Sequence, residues 1–204
     1  MLAADVTRAV SLAHAALGSV AERDWQVPAG DLTWTCWETV EHMSDDLFAY
    51  TAQLAPSAPP ISTHVPFGWQ VRRDGGPALT VFVEPADGNA ALLQVFEACG
   101  AMLAAIVGTV PPDRLSFHNY GASDASGFAA MGVVEVLVHT NDVAAALKFP
   151  WSPPDDLCAG ALHRLFPDVA VDDPWPTLRW ATGRATLPGR PRRRTWTWDG
   201  TPRR

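Results

Sequence analysis

Apolar residues recur at helical spacing in four long segments. Val6, Val10, Ala13, Leu17 and Val20 form one stripe and predict a helix from about Ala4 to Arg23. Pro28, Gly30 and Asp31 break that pattern. Val40, Met43, Leu47, Tyr50 and Leu54 form a second stripe, on a helix starting near Thr35. Thr33 or Thr35 can cap it, and Glu38 stands three residues after Thr35, as a capping box requires. Leu92, Val95, Phe96, Cys99, Met102, Leu103 and Ile106 give a wide apolar face from Asn89 to Val107. The fourth segment, Gly127 to Leu147, is apolar almost all the way round and belongs in an interior; Asp124 or Ser126 can cap it. Shorter helices are predicted from Asp155 to Leu165 and from Pro176 to Thr182.

Residues 55–87 are irregular and rich in proline. Within them Ala78 to Glu84 alternates and carries β-branched and aromatic residues, which predicts a short strand or extended segment. One strand is not stable alone, so it needs Val65–Val71 as a partner or must lie along the helices. Thr195 to Trp198 also alternates, before a turn signal at Asp199-Gly200. The fold expected is mainly all-α: a four-helix bundle over 1–150, then a helical extension and basic tail over 151–204, with a small strand or hairpin. The link of roughly thirty residues between the second and third helices permits a non-alternating helix order.

Composition narrows the partners. A chain of 204 residues suits one domain with a sizeable core. A net charge of −7 argues against a general nucleic-acid surface. The charge is uneven, because Arg190, Arg192, Arg193, Arg194, Arg203 and Arg204 crowd the C-terminus. No window of roughly 18 residues reads as an uninterrupted membrane span. The N-terminus lacks a basic segment ahead of an apolar core. Cys36, Cys99 and Cys158 are scattered and odd in number, which fits free thiols in a reducing compartment. The expectation is a cytoplasmic protein, monomeric or a homodimer, that contacts neither nucleic acid nor membrane.

The candidate chemistry sits on the fourth helix, the one that is apolar almost all the way round. Glu135 and His139 are spaced i, i+4 and share a face with Phe128, Met131, Asp142 and Ala146. An unpaired buried carboxylate costs several kcal/mol or more, so Glu135 needs a partner. A metal ion held by Glu135 and His139 is one; a Glu–His hydrogen-bonded pair at a helix interface is the other. His42 lies about 120° from the centre of its helix's stripe, beside Glu38, Asp46 and Ala49, and periodicity reads it as a surface histidine. The loop from Leu115 to Ser126, with His118, Asn119, Tyr120 and Asp124, is placed to line a pocket. Asp45, Asp46 and His64 are further polar residues near the cleft, and Trp34, Trp37 and Phe128 can wall it.

Three blocks carry a family resemblance: Trp34 to Met43 (WTCWETVEHM), Asp124 to Ala144 (DASGFAAMGVVEVLVHTNDVA) and Trp180 to Arg192 (WATGRATLPGRPR). With them the chain resembles the DinB-like superfamily. More closely, it resembles the N-terminal domain of mycothiol-dependent maleylpyruvate isomerases and their actinobacterial relatives. The resemblance implies a DinB-like four-helix bundle and a divalent metal on His42, Glu135 and His139. The isomerase carries a larger C-terminal domain that these roughly fifty residues do not match, which separates this chain from maleylpyruvate itself. Two His and one Glu with an open position suit Zn²⁺, and Ni²⁺, Co²⁺ or Fe²⁺ fit the same donors. The implied activity is a thiol S-transferase or isomerase, acting on a small electrophile through a metal-bound thiolate. The implied cosubstrate is mycothiol or another low-molecular-weight thiol. Asp142 can orient a ligand imidazole, and Arg184 or Arg179 can reach the site as an anion clamp. A non-catalytic metal-binding protein of this fold is the alternative, and a metal-dependent hydrolase a weaker one.

Overall fold

The computed structural model describes residues 1–203; Arg204 of the basic C-terminal cluster lies outside them. The chain is mainly helical, with α1 (Ala3–Gly18), α2 (Cys36–Leu54), α3 (Gly88–Thr109), α4 (Ala125–Leu147), α5 (Asp155–Leu165) and α6 (Pro174–Ala181). Local chemistry sets the boundaries. The Thr35 hydroxyl accepts from Glu38 N–H while Glu38 accepts from Thr35 N–H, so Thr35 rather than Thr33 caps α2. The Asp124 carboxylate accepts from Gly127 N–H and starts α4 two residues before the predicted Gly127. The first helix ends at Gly18 rather than near Arg23; turns follow, and the Trp25 indole N–H donates to Val20 C=O within them.

α1 packs on α3 and α4, and α2 packs on the same two helices. The consecutive pairs α1/α2 and α3/α4 therefore sit on diagonals, the non-alternating order that the long α2–α3 link allows. α4 is the central element. Nineteen of its 23 residues are buried, because α1 and α2 hold it on one side and α5 covers another. Gly132 lets it approach closely: a Cβ there would stand 2.6 Å from Leu103 Cδ2 and 3.2 Å from Leu47 Cδ2. Leu157, Ala161, Leu162 and Leu165 of α5 and Leu178 of α6 join the same core, so the C-terminal extension closes the bundle.

By length and composition two helical stretches, Pro85–Thr109 and Ala125–Leu147, could cross a membrane, contrary to the expectation that no such window exists. Most of the second is buried inside the protein, which is what a core helix requires.

The predicted strand is reduced to a short antiparallel ribbon, β1 (Gln70–Val71) with β2 (Ala78–Leu79), in register Gln70↔Leu79 and Val71↔Ala78. Beyond Leu79 the segment leaves the ribbon for α2. Asp45 accepts from Thr80 and Val81 N–H, both at 2.7 Å, and Glu41 accepts from Val83 N–H at 3.0 Å. Two carboxylates of α2 thus replace the missing strand. Thr195 to Trp198 forms no strand either. The tail is tied down by Asp199 N–H to Leu165 C=O, and by buried Arg164, which reaches Asp124 at 2.9 Å and Gly200 C=O at 3.1 Å.

Candidate metal centre

α2 and α4 bring three side chains together: His42, Glu135 and His139 each offer one donor atom, all within 4.8 Å of one another. Glu135 Oε2 lies 3.1 Å from His139 Nε2 and 3.9 Å from His42 Nε2. Tetrahedral donors on bonds of about 2.0–2.2 Å stand roughly 3.3–3.6 Å apart, a spacing these two distances bracket. The donor set also fits chemically, because two neutral imidazoles and one carboxylate suit a borderline divalent cation. The histidine that periodicity assigns to the surface is thus turned inward. The polar face of α2 looks across the bundle at α4, leaving the His42 side chain only 20% exposed.

Each group's proton affinity follows from this placement. Burial pulls His42 down to about 4, helped by the neighbouring His139 and opposed by Glu135, so its imidazole is neutral and free to ligate. Burial also pulls on His139, but hydrogen bonds with Asp142 and Glu135 outweigh it and hold the ring above the ordinary range. Burial pushes Glu135 up, and the hydrogen bond and charge of His139, with the charges of His42 and Arg184, bring it below the usual carboxylate range. Without an ion, the His139 ring is the hydrogen-bond partner that the buried Glu135 carboxylate needs. A divalent metal held by the same groups would take over that role.

Behind His139 stands a chain of supports. Its Nδ1 lies 3.0 Å from Asp142 Oδ2, and Arg184 Nη2 donates to the same oxygen at 3.0 Å. Burial pushes Asp142 up, yet the hydrogen bond from His139 and the charge of Arg184 hold it below the ordinary range. An ionised Asp142 accepts a hydrogen bond from Nδ1–H and leaves Nε2 facing Glu135 and His42. The structure thus gathers all five sequence-level site residues. Arg184 stands one residue behind the donors, held by Asp142 and by Thr182 C=O at 2.8 Å. Arg179 lies away from the donors and faces a different cavity.

Three features escaped the sequence reading or drew only a passing mention there. Asp46, one turn after His42, puts Oδ2 3.4 Å from His42 Nε2. Burial, with Glu135 and Asp45 nearby, raises its pKa well above the ordinary value. Its i, i+4 spacing from His42 mirrors that of Glu135 and His139, a signal present in the sequence. Trp34 stacks edge-on to His42 at 4.7 Å between ring centroids and limits that ring's movement. The third is a cavity of about 320 Å³ whose lining includes His42, Asp46 and Glu135 together with Tyr50, His118 and Trp198. Phe128 lines it as predicted, whereas Trp37 is packed in the core. His118 Nδ1 accepts from Tyr120 N–H at 3.1 Å, and burial lowers its pKa to about 4. Trp196 and Trp198 come from the tail, so the C-terminal residues complete a cavity that the bundle begins.

The three cysteines take no part. Each is buried, and burial pushes the thiols of Cys36 and Cys99 up to about 11 and that of Cys158 up to about 12. No family model matches the chain, and neither do curated proteins or solved structures.

Proposed function

We propose that this chain is a DinB-like metalloprotein, akin to the N-terminal domain of mycothiol-dependent maleylpyruvate isomerases. In this reading it is a thiol-dependent transferase or isomerase acting on a small electrophile. The observation that carries the metal site is the convergence of His42, from α2, on the Glu135–His139 pair of α4 at a cavity wall. A Glu–His pair serving only to satisfy a buried carboxylate has no need of a second, neutral imidazole from another helix.

His42, Glu135 and His139 would hold the ion, with Zn²⁺ favoured and Ni²⁺, Co²⁺ or Fe²⁺ compatible. When bound, the metal supplies acidity: it lowers the pKa of a coordinating thiol so that thiolate exists at neutral pH. The chain's own residues do the rest. Asp142 fixes the His139 ring and Arg184 fixes Asp142. The aromatic wall of Tyr50, Phe128 and Trp198 excludes water and accepts an apolar electrophile. Neutral His118, whose Nδ1 accepts from the backbone, keeps its proton on Nε2 as a donor on that wall. The thiol comes from solution, because the three protein thiols are buried and protonated. Mycothiol is the candidate given by the family resemblance, and any low-molecular-weight thiol meets the chemical need.

The test has two stages. Elemental analysis of the purified chain gives about one transition metal per chain, lost in His42→Ala/Glu135→Ala/His139→Ala. The loaded protein then conjugates a thiol to a generic electrophile, or isomerises a conjugated one, and His139→Ala does not. Metal at full occupancy with no turnover of any physiological thiol would leave a non-catalytic metal-binding protein. Absence of metal after reconstitution would reduce Glu135–His139 to a structural pair.

A further inference from the structure

A cavity of about 790 Å³ is lined by Asp142 and Arg184 but by none of the three donors. It is formed by the turn before α2, the C-terminal half of α4, the end of α6 and the tail. Arg179, Arg184, Arg192, Arg193 and Arg194 line it, against two carboxylates, Asp31 and Asp142. In a chain of net charge −7 this is a local reversal of sign.

Two of the guanidiniums are already matched: Arg184 to Asp142 at 3.0 Å and Arg192 to Asp31 at 2.6 Å. Arg179, Arg193 and Arg194 have no carboxylate partner among the described residues, and Arg179 Nε is buried without any hydrogen-bond acceptor. A buried donor left unpaired costs on the order of 1–3 kcal/mol, so an acceptor that reached Arg179 would meet a donor with no competing partner in the chain.

The wall is also held in place. The Arg193 guanidinium lies over the Trp180 ring at 4.3 Å, and the Trp180 indole donates to Pro191 C=O at 2.9 Å. Gly183, with φ +74°, lets the tail close on the end of α6: a Cβ there would meet Arg193 C=O at 3.0 Å and Trp196 Cδ1 at 3.1 Å. Stacked, positioned guanidiniums recognise planar oxyanions through paired N–H donors, and holding them in place before binding reduces the entropy lost on ligation.

We propose that this cleft is a binding site for a small oxyanion carrying two or more negative charges, a polycarboxylate or a phosphorylated compound. The concavity has the dimensions of a small-molecule site, and three unpaired guanidiniums exceed what a single charge needs. None of the three metal donors lines the cleft, which meets the candidate centre only through the Asp142–Arg184 pair, and the proposal does not depend on the metal reading.

Calorimetric titration of the full chain at low ionic strength, with citrate, inorganic pyrophosphate and inorganic phosphate in turn, tests this. Citrate and pyrophosphate saturate one site, and whichever binds tighter identifies the carboxylate or the phosphate source. Arg179→Gln/Arg193→Gln/Arg194→Gln weakens binding by about tenfold or more, while circular dichroism confirms its fold. Exposed Arg194 gives a variant that leaves the fold alone, and Arg194→Gln weakens binding by roughly threefold. Arg8→Gln, whose parent side chain pairs with Asp156 outside the cleft, binds as the parent does. His42→Ala, which removes a metal donor that lies outside the cleft lining, retains the anion, so failure of the metal centre would leave this readout untouched. A non-saturating response, equal binding by the triple variant and its parent, or tighter binding of a duplex oligonucleotide than of any small anion would overturn the proposal.

Discussion

Asp142→Asn is the sharpest probe of the candidate centre, because it changes one charge and almost no volume. Asp142 accepts a hydrogen bond from His139 Nδ1–H at 3.0 Å and is clasped by Arg184 through Nη2 at 3.0 Å. An asparagine keeps one acceptor oxygen, and Arg184 competes for it. The amide NH₂ then faces His139 Nδ1, which favours the tautomer with its proton on Nε2, the nitrogen that faces Glu135. A protonated Nε2 cannot ligate. Loss of a carboxylate behind a ligating histidine typically costs 10- to 100-fold in metal affinity, about 1.4–2.7 kcal/mol. The same change leaves a mostly buried guanidinium facing a neutral group, so the metal-free protein should lose stability by about 2–4 kcal/mol. Competition against a chromogenic chelator reads the first number and urea denaturation of metal-free protein reads the second. An affinity within twofold of the parent, in a variant shown to be folded, would refute the idea that Asp142 sets the orientation of His139.

Three further expectations follow from other parts of the molecule. His118 is held neutral by burial, with its pKa lowered from 6.5 to about 4, so its contribution is fully present above pH 6.5 and fades as pH falls towards 4. His118→Asn, which keeps an acceptor near the Tyr120 N–H, should flatten that loss by about 3 kcal/mol in the metal-free protein; parallel slopes for the two proteins in pH-dependent urea melts would count against it. Arg164→Leu strands the Asp124 carboxylate and frees the tail from Gly200, and should cost about 3 kcal/mol by chemical denaturation; a change under 1 kcal/mol would show that this ion pair is dispensable. The three cysteines should react with a thiol reagent at least about a hundredfold more slowly in the native chain than in urea, and a native thiol reacting at the free-cysteine rate would reopen the question of an internal nucleophile.

The helices were legible because their signals are local. Stripes at helical spacing located all four long helices, and the Thr35/Glu38 capping box marked the start of α2. Glu135 and His139 were legible for a related reason: two ionisable groups one turn apart on an otherwise apolar helix need a partner. His42 was not legible from periodicity. Its face of α2 is polar whether it meets water or a polar cleft, and the sequence of α2 contains nothing about what stands opposite; only the resemblance pointed to it. The Ala78–Glu84 segment was legible as extended chain, but how it divides between its two expected neighbours was not: Ala78–Leu79 pairs with Gln70–Val71, and the rest lies along α2. The segment's alternation is real, but Asp45 and Glu41, some forty residues earlier, offer better acceptors to its N–H groups than a strand partner does.

The sequence by itself therefore determined a mainly helical chain, the identity of its buried central helix and two of the three candidate donors, since periodicity and capping act within a few residues of where they are written. Tertiary structure alone decided that α2 turns its polar face to α4, that the Trp196–Trp198 tail closes the cavity beside His42, and that five arginines converge on one cleft. Those are distances between residues far apart in the chain, fixed when the core packs, and no local pattern encodes them.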